Sequence, residues 1–448
     1  MRYFMYVVIC AVMLAAYVSD PSVHLLPAPF KFLPDLLSVI VVIYVIAEGS
    51  RQRFRLVNPK YWFTFGALAV AVMCGPLINQ EAVGPIVNGM RWYLRAIPFF
   101  FVPAIARFDD ADLEKMLKLF LGFSLLQCPV ALYQRISNEA IGNTTGDVVF
   151  GTMMDSGVLS LFLIAALSVM SALMLRGRLG KVWYCILFLL LLIPMSINET
   201  KVTVFLLPIA LFASFVAAAP PRRRLLVSLQ AVIFLIIAGA IFVPVYDYYN
   251  RNVPGQFQIE DFLTNSAEFS KYMDRKAKVG TEDEAGRSDS LRAPFLAFAH
   301  DPVKMVFGLG LGNASKSSLG SQFTGRYKPL YWPFMQELSI SAFLFEIGLL
   351  GASLVLFLHW LVLRDALFVG KHDQGLVGTL AVGYLGVWAT ITIGLFYATI
   401  HLFEVLSFTF WFFSGLIAAR REQLRLSKRE LTHSVTAFQS AAKKLRAG

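Results

Sequence analysis

Three consecutive apolar blocks decide the fold: VWYCILFLLLLIPMSI (182–197), VTVFLLPIALFASFVAAA (202–219) and LLVSLQAVIFLIIAGAIFVPV (225–245). Each block is apolar on every side, whereas a helix on a soluble core would carry polar residues along one face. A helix needs about 20 apolar residues to cross the hydrocarbon core of a bilayer. The blocks lack the period-two alternation of β-barrel strands. They therefore predict a bundle of transmembrane helices.

The rest of the 448-residue chain has the same character, since it is 57% hydrophobic with a mean hydropathy of +0.63. The expected fold class is an all-α polytopic membrane protein with about twelve transmembrane helices. The first block follows only Arg2 and lacks a convincing small-residue cleavage site, which favours a span over a signal peptide. The predicted spans are 3–18, 33–48, 61–78, 88–106, 113–133, 157–175, 182–197, 202–219, 225–246, 334–362, 376–396 and 400–418.

The formal net charge of +11 lies mainly in short polar gaps between the apolar blocks. This placement is typical of the positive-inside rule and argues against a nucleic-acid partner. If the spans alternate, the richest basic gaps share one side, so both termini are predicted to be cytoplasmic. Those gaps contain Arg51, Arg53, Arg55 and Lys60, then Arg176, Arg178 and Lys181, then Arg222–Arg224, and finally the tail after the last span.

This topology divides the chain into four parts. Residues 1–246 form transmembrane helices 1–9, residues 247–333 a large extracytoplasmic loop, residues 334–418 helices 10–12, and residues 419–448 a basic cytoplasmic tail. Within the loop we expect 250–286 to be partly helical or disordered and 291–300 to form a short amphipathic helix. The basic tail suits anionic membrane lipids or a cytoplasmic partner, and the pattern does not choose between them.

Ionisable residues inside a membrane are costly, so they are candidates for function. Several lie near the outer helix ends, at one depth but on different helices. Any one of them is more often an interfacial or snorkelling side chain, yet together with the large loop they predict a polar extracytoplasmic cavity. These residues are Arg91, Arg95, Lys201, Glu337, His401 and Glu404.

Other classes of site are not indicated. The run Gly308-Leu-Gly-Leu-Gly312 follows no strand, so a tight turn with close backbone approach is a better interpretation than a nucleotide loop. The four cysteines lie far apart in apolar blocks, and the histidines are scattered. Neither a disulfide framework, nor a metal site, nor a cofactor is therefore predicted.

A set of short motifs resembles the O-antigen ligase and O-antigen polymerase (Wzy-type) superfamily. The outer loop contains Arg287-Ser-Asp-Ser-Leu-Arg292, then Asp301-Pro302 and Phe307-Gly-Leu-Gly310. Gln336-Glu337-Leu338-Ser339 then opens the tenth span, which continues through Glu346-Ile-Gly-Leu-Leu-Gly351. The number of spans and the position of the large loop are also similar, so the resemblance covers essentially the whole chain.

The resemblance implies a GT-C-like enzyme of the bacterial cytoplasmic (inner) membrane with its active site facing the periplasm. It would transfer a glycan, without a metal, from a polyprenyl (undecaprenyl) diphosphate to a lipid-linked repeat unit. By position, Arg287 corresponds to the loop arginine that meets the donor diphosphate. Lys201 stands where the family often has arginine, and Glu337 where ligases have histidine. The last difference favours an exopolysaccharide or surface-polysaccharide polymerase over a ligase that acts on lipid A-core.

Chemistry supports the same roles. A sugar–diphosphate bond breaks more easily when positive charge neutralises the leaving group, which Arg287, Lys201, Arg91 and Arg95 could supply. The acceptor hydroxyl needs a general base, for which Glu337 is the candidate. Arg292, His401 and Glu404 are expected to line the cavity. A flippase and a chain-length regulator are the expected protein partners of such a polymerase. A lipid-linked oligosaccharide flippase remains an alternative function for the chain itself, although charges clustered toward one leaflet fit it less well.

Overall fold

The computed structural model is 79% helix and has no strands in the part that it describes. It describes residues 1–447 except 22, 24, 53, 107, 143–144, 199, 220 and most of 251–284. Within 251–284 it describes only 265, 267, 270, 273 and 274, and of residues 221, 224, 250 and 431–447 only the backbone. The predictions for 250–286 therefore lie largely outside the described residues.

Ten α-helices precede residue 251, several with a defined start. Asn58, Asp109 and Asp155 each cap the following helix with a side-chain oxygen that accepts a backbone N–H. The helices are α1 (Arg2–Val18), α2 (Leu33–Arg51), α3 (Pro59–Ile78), α4 (Val83–Leu94), α5 (Val102–Ala106), α6 (Asp110–Ala140), α7 (Ser156–Leu175), α8 (Lys181–Ile197), α9 (Thr203–Ala218) and α10 (Arg224–Asn250).

The loop and the C-terminal part contain shorter and longer helices in turn. Those of the loop are α11 (Arg287–Ala297), α12 (Pro302–Phe307) and α13 (Lys328–Met335). They are followed by α14 (Ser339–Glu346), α15 (Gly348–His372), α16 (Leu376–Gly394) and α17 (Glu404–Ala447).

The protein is an α-helical membrane protein. Seven helical segments in the described part are long and apolar enough to cross a bilayer. Three shorter apolar helices, α1, α8 and α9, have 16 or 17 residues. The seven segments are Ala28–Arg51, Pro59–Ile78, Asp110–Ala140, Ser156–Leu175, Leu225–Tyr249, Gly348–His372 and Leu376–Gly394.

Helix α16 is the centre of the bundle and packs against α7, α9, α15 and α17. Its glycines allow the neighbouring backbones to approach closely, as is common between membrane helices. A Cβ atom at Gly383 would lie 2.7 Å from the Val169 Cα, and one at Gly386 would lie 2.5 Å from the Ala210 carbonyl oxygen. Larger residues at these two positions would therefore separate α16 from α7 and α9.

Two predicted spans are interrupted in the structure. The segment 88–106 consists of the end of α4, a 3-10 turn at Ile97–Phe100 and α5, because Pro98 and Pro103 each remove a backbone N–H donor. The segment 334–362 is interrupted twice, at residues 336–338 between α13 and α14 and at Ile347, where the following Gly348 has φ +66°. Other predicted spans agree with helices to within a few residues, although α6 is longer at both ends. The predicted boundary at 418–419 falls inside α17, which continues as one helix to Ala447.

Candidate functional site

The predicted catalytic residues meet at the beginning of two short helices. Arg287 is the first residue of α11, and Glu337 lies in the turn that precedes α14. The Arg287 Nη2 atom is 3.4 Å from the Glu337 Oε2 atom, and each side chain is 18% exposed. The Ser341 hydroxyl on α14 donates to the Ser290 carbonyl on α11 at 2.8 Å, which holds the two helices together. Residues 50 positions apart thus form one partly buried ion pair.

Tyr397, in the loop between α16 and α17, contacts Arg287. The Arg287 Nε–H donates to the Tyr397 carbonyl oxygen at 3.2 Å, and the guanidinium carbon is 4.4 Å from the centre of the Tyr397 ring. A cation over an aromatic face is attracted by the ring electrons. Sequence reasoning missed Tyr397 because an aromatic residue at a helix end looks like any other interfacial residue.

A second charged cluster joins α2, α4 and α17. Asp35 accepts from Arg91 of α4, at 2.7 Å from its Nε, and from Arg95, the residue after the end of α4, at 3.1 Å from its Nη1. Arg95 Nη1 also lies 2.5 Å from Glu404 Oε1. Sequence reasoning identified the other three residues and missed Asp35, although a carboxylate inside the second apolar block was a usable signal. The predicted role of Arg91 and Arg95 in diphosphate binding remains a prediction, and each has a carboxylate partner here.

The segment 395–403 connects the two clusters. Its Tyr397 carbonyl accepts from Arg287, and its Leu402 carbonyl accepts from Arg95 Nη2 at 2.8 Å. His401 is buried in the same segment, with its Nδ1 3.0 Å from the Ser339 hydroxyl oxygen. Five of the predicted residues, Arg91, Arg95, Glu337, His401 and Glu404, therefore lie on or against one continuous network with Arg287.

An apolar cavity of about 60 Å³ lies next to this network. His401 lines it together with His359, and aromatic rings form much of the remaining wall. The polar extracytoplasmic cavity remains a prediction. The aromatic lining includes Trp92, Tyr93, Phe410 and Trp411.

Lys201 and Arg292 have opposite environments. Lys201 is only 7% exposed and immediately precedes α9. The neighbouring Thr200 and Thr203 are also buried, and their hydroxyls have no hydrogen-bond partner within the described residues. Arg292, by contrast, is exposed on α11. Because it follows Arg287 by five residues, it lies on a different face of that helix.

The glycine run of the outer loop forms a turn around the break between α14 and α15. Gly308 and Gly310 have φ values of +74° and +107°, and a Cβ at Gly308 would lie 2.5 Å from the Glu346 backbone. The Gly310 N–H donates to the Glu346 carbonyl oxygen at 3.1 Å. The interpretation as a tight turn with close backbone approach is confirmed.

Glu346 is the buried carboxyl group at the centre of this turn. Its side chain is fully buried, with Oε2 accepting from the Gly312 N–H and Oε1 from the Ala314 N–H, each at 3.0 Å. The Tyr93 hydroxyl of α4 faces the same carboxyl. Glu346 thus ties the outer loop to the helix break, a role that sequence reasoning did not assign.

Glu81, between α3 and α4, is a second carboxyl on the glycine turn. Both of its carboxyl oxygens are buried and have no hydrogen-bond partner in the described part of the chain. Burial, followed by the nearby Glu346 carboxyl, raises the pKa of Glu81 to about 9 from an ordinary value of 4.5. The Glu81 carboxyl is therefore protonated at neutral pH.

We expect Glu81 to make the protein less stable as pH rises. Between about pH 4.5 and pH 9 the folded state binds a proton that the unfolded state has released, so the free energy of unfolding falls through this window. Glu81→Gln removes this dependence, and its thermal midpoint in detergent should exceed that of the unmodified protein by a margin that grows with pH.

Asp301→Asn is the control for this measurement. Lys304 holds the pKa of Asp301 below its ordinary value. The difference in thermal midpoint between Asp301→Asn and the unmodified protein should therefore change with pH only at acidic pH. If the difference in thermal midpoint between Glu81→Gln and the unmodified protein stays constant from pH 5 to pH 9, Glu81 does not have the raised pKa assigned to it.

Within the described residues, no group of three or more His, Cys, Asp or Glu side chains is arranged to hold a metal ion. Comparison with protein-family models and with curated protein sequences gives no match for this chain.

Proposed function

We propose that the chain is a polymerase of a surface polysaccharide or exopolysaccharide, which transfers a glycan from a polyprenyl diphosphate to a lipid-linked repeat unit. The observation that carries the proposal is the Arg287–Glu337 pair at the base of the outer loop. The proposed setting is a bacterial inner membrane, with twelve spans, cytoplasmic termini and a periplasmic site. The helix lengths and the basic gaps between spans support this topology.

The pair supplies the two functions that the transfer requires. The acceptor hydroxyl oxygen forms a bond to the anomeric carbon and gives its proton to Glu337. The bond from that carbon to the diphosphate oxygen breaks, and the electron pair leaves with the diphosphate. Arg287 neutralises the charge that develops there, and its five N–H donors allow it to contact phosphate and Glu337 together.

Lys201 is a candidate for a second phosphate contact. It is buried and is flanked in the chain by Thr200 and Thr203, whose buried hydroxyls lack partners in the described residues. Hydroxyl donors beside a buried ammonium suit a phosphate oxygen.

The helix that begins after Lys201 offers a surface for the lipid. Phe205, Ile209 and Phe212 of α9 are all exposed on one face, spaced by four and three residues. Ile393 and Phe396, near the outer end of the adjacent α16, are exposed as well. A polyisoprenoid chain is apolar throughout and fits such a surface with its diphosphate near Lys201.

The proposal is tested with purified protein in detergent or liposomes. Incubation with lipid-linked repeat units should produce longer lipid-linked glycans and release polyprenyl diphosphate. Strains that lack the gene should retain single repeats and lose polymer. Full polymer that remains unattached would indicate a ligase instead, and transport of the lipid without a new glycosidic bond would indicate a flippase. Either outcome would overturn the proposal that the chain is a polymerase.

A further inference from the structure

The position of Glu337 depends on the segment 395–403, to which the start of α14 is hydrogen-bonded. Two backbone hydrogen bonds connect the segments, from the Ser339 N–H to the Ala398 carbonyl and from the Ile340 N–H to the Leu395 carbonyl, each at 3.0 Å. Glu337 lies two residues before Ser339 and outside the helix. Its orientation therefore depends on how firmly the first residue of α14 is held.

Counting protons shows how Ser339 is held. The Ser339 hydroxyl donates its only proton to the Ala398 carbonyl at 2.9 Å. It can then only accept at its contact with His401 Nδ1, 3.0 Å away, so Nδ1 carries the donated hydrogen. The His401 backbone N–H also points at this hydroxyl, at 3.4 Å. One serine oxygen thus joins α14 to two points of the segment 395–403.

The imidazole of His401 is itself fixed by packing. Its ring centre lies 5.0 Å from that of Tyr93 and 5.2 Å from that of Phe343. The same segment holds Arg287 through the Tyr397 carbonyl. The segment 395–403 therefore helps to position both Arg287 and Glu337. The Ser339–His401 contact connects this segment to the start of α14, next to Glu337.

We propose that Ser339 and His401 are positioning residues that hold Glu337 at its working distance from Arg287. The expected effect on the rate of glycan extension rests on the proposed function, whereas the Ser339–His401 contact itself rests on the hydrogen-bond geometry. In the proposed transfer, neither residue is one of the reacting groups. A displacement of about 1 Å at a reacting group is enough to cost on the order of 100-fold in rate.

The test compares four variants in the glycan-extension assay. Ser339→Ala and His401→Leu should each lower kcat by roughly 10- to 100-fold while KM stays within about twofold. His401→Asn should restore most of the rate, because the asparagine Nδ2 can occupy the place of the histidine Nδ1 and still donate to Ser339. Ser214→Ala removes an equally buried hydroxyl whose partners are the Ala210 and Gly383 carbonyls, and should leave the rate unchanged.

A second readout does not depend on activity. In protein labelled with ¹⁵N-histidine, the His401 resonance, assigned by its loss in His401→Leu, should show a protonated, hydrogen-bonded Nδ1, and Ser339→Ala should shift it. If the unmodified protein extends glycans and Ser339→Ala does so equally fast, the positioning role is wrong. If the unmodified protein forms no glycosidic bond, the proposed function fails, and the resonance still tests the contact.

Discussion

Replacing Arg287 with alanine should abolish glycan extension while the protein still accumulates in the membrane. The substitution removes the positive charge that neutralises the leaving diphosphate. Removal of one such donor typically lowers kcat by about 100- to 1,000-fold. Glu337→Gln keeps the size of the side chain and removes the proton acceptor, for an expected loss of roughly 100- to 10,000-fold. Both effects are measured as the initial rate of chain extension by purified protein.

Lys304→Ala is the control for the loss of a basic side chain from the outer loop. Lys304 forms a partly exposed ion pair with Asp301, at 2.7 Å, three residues away on the chain. Its removal should leave the rate of extension within about twofold, since such pairs contribute little. Long polymer formed at the normal rate by both Arg287→Ala and Glu337→Gln would refute the site assignment.

The second large effect concerns stability at Glu346. Glutamine at this position can accept only one of the two backbone N–H groups that now bond to the carboxyl, and leucine can accept neither. A buried donor left without an acceptor costs about 1–3 kcal/mol. We therefore expect a loss of roughly 1–3 kcal/mol for Glu346→Gln and about twice that for Glu346→Leu, from two such donors.

These losses are measured as the thermal midpoint of the protein in detergent, together with hydrogen exchange at the Gly312 and Ala314 amides. Both amides should exchange faster in the leucine variant. Glu48→Gln, which alters an exposed ion pair with Arg51, serves as the control and should change stability little. Unaltered exchange at both amides in Glu346→Leu would contradict the role given to Glu346.

The helices were predictable because a bilayer imposes length and apolarity on each span, and both are visible in the residues themselves. The breaks were harder to predict. Pro98 and Pro103 were available as signals for the first break. The break at Ile347 depends on the approach of the glycine turn, which lies about 40 residues earlier in the chain and becomes adjacent only after folding.

Charge explains how much of the site was found. Glu337 and Arg95 stood out because ionisable groups are rare near membrane helices, whereas Arg287 was identified through the resemblance of the loop motifs. Tyr397 and Ser339 did not, since an aromatic ring and a small hydroxyl are ordinary at helix ends. What distinguishes these two residues is contact between distant segments, a property that no local pattern of residues contains. The same limit applies to the pairing of Asp35 with Arg91 and Arg95.

The length of α17 has a mechanical consequence. With 44 residues it extends about 66 Å, roughly twice the thickness of a bilayer core. Glu404 at its first turn contacts Arg95, while farther along Arg421 bonds Asp365 and Arg420 bonds Asp373 at 2.7 Å. Ion pairs therefore hold α17 at two places, at its first turn and about 24 Å farther along, near Arg420. Loss of the Arg95 partner would release the first of these places and leave the second intact.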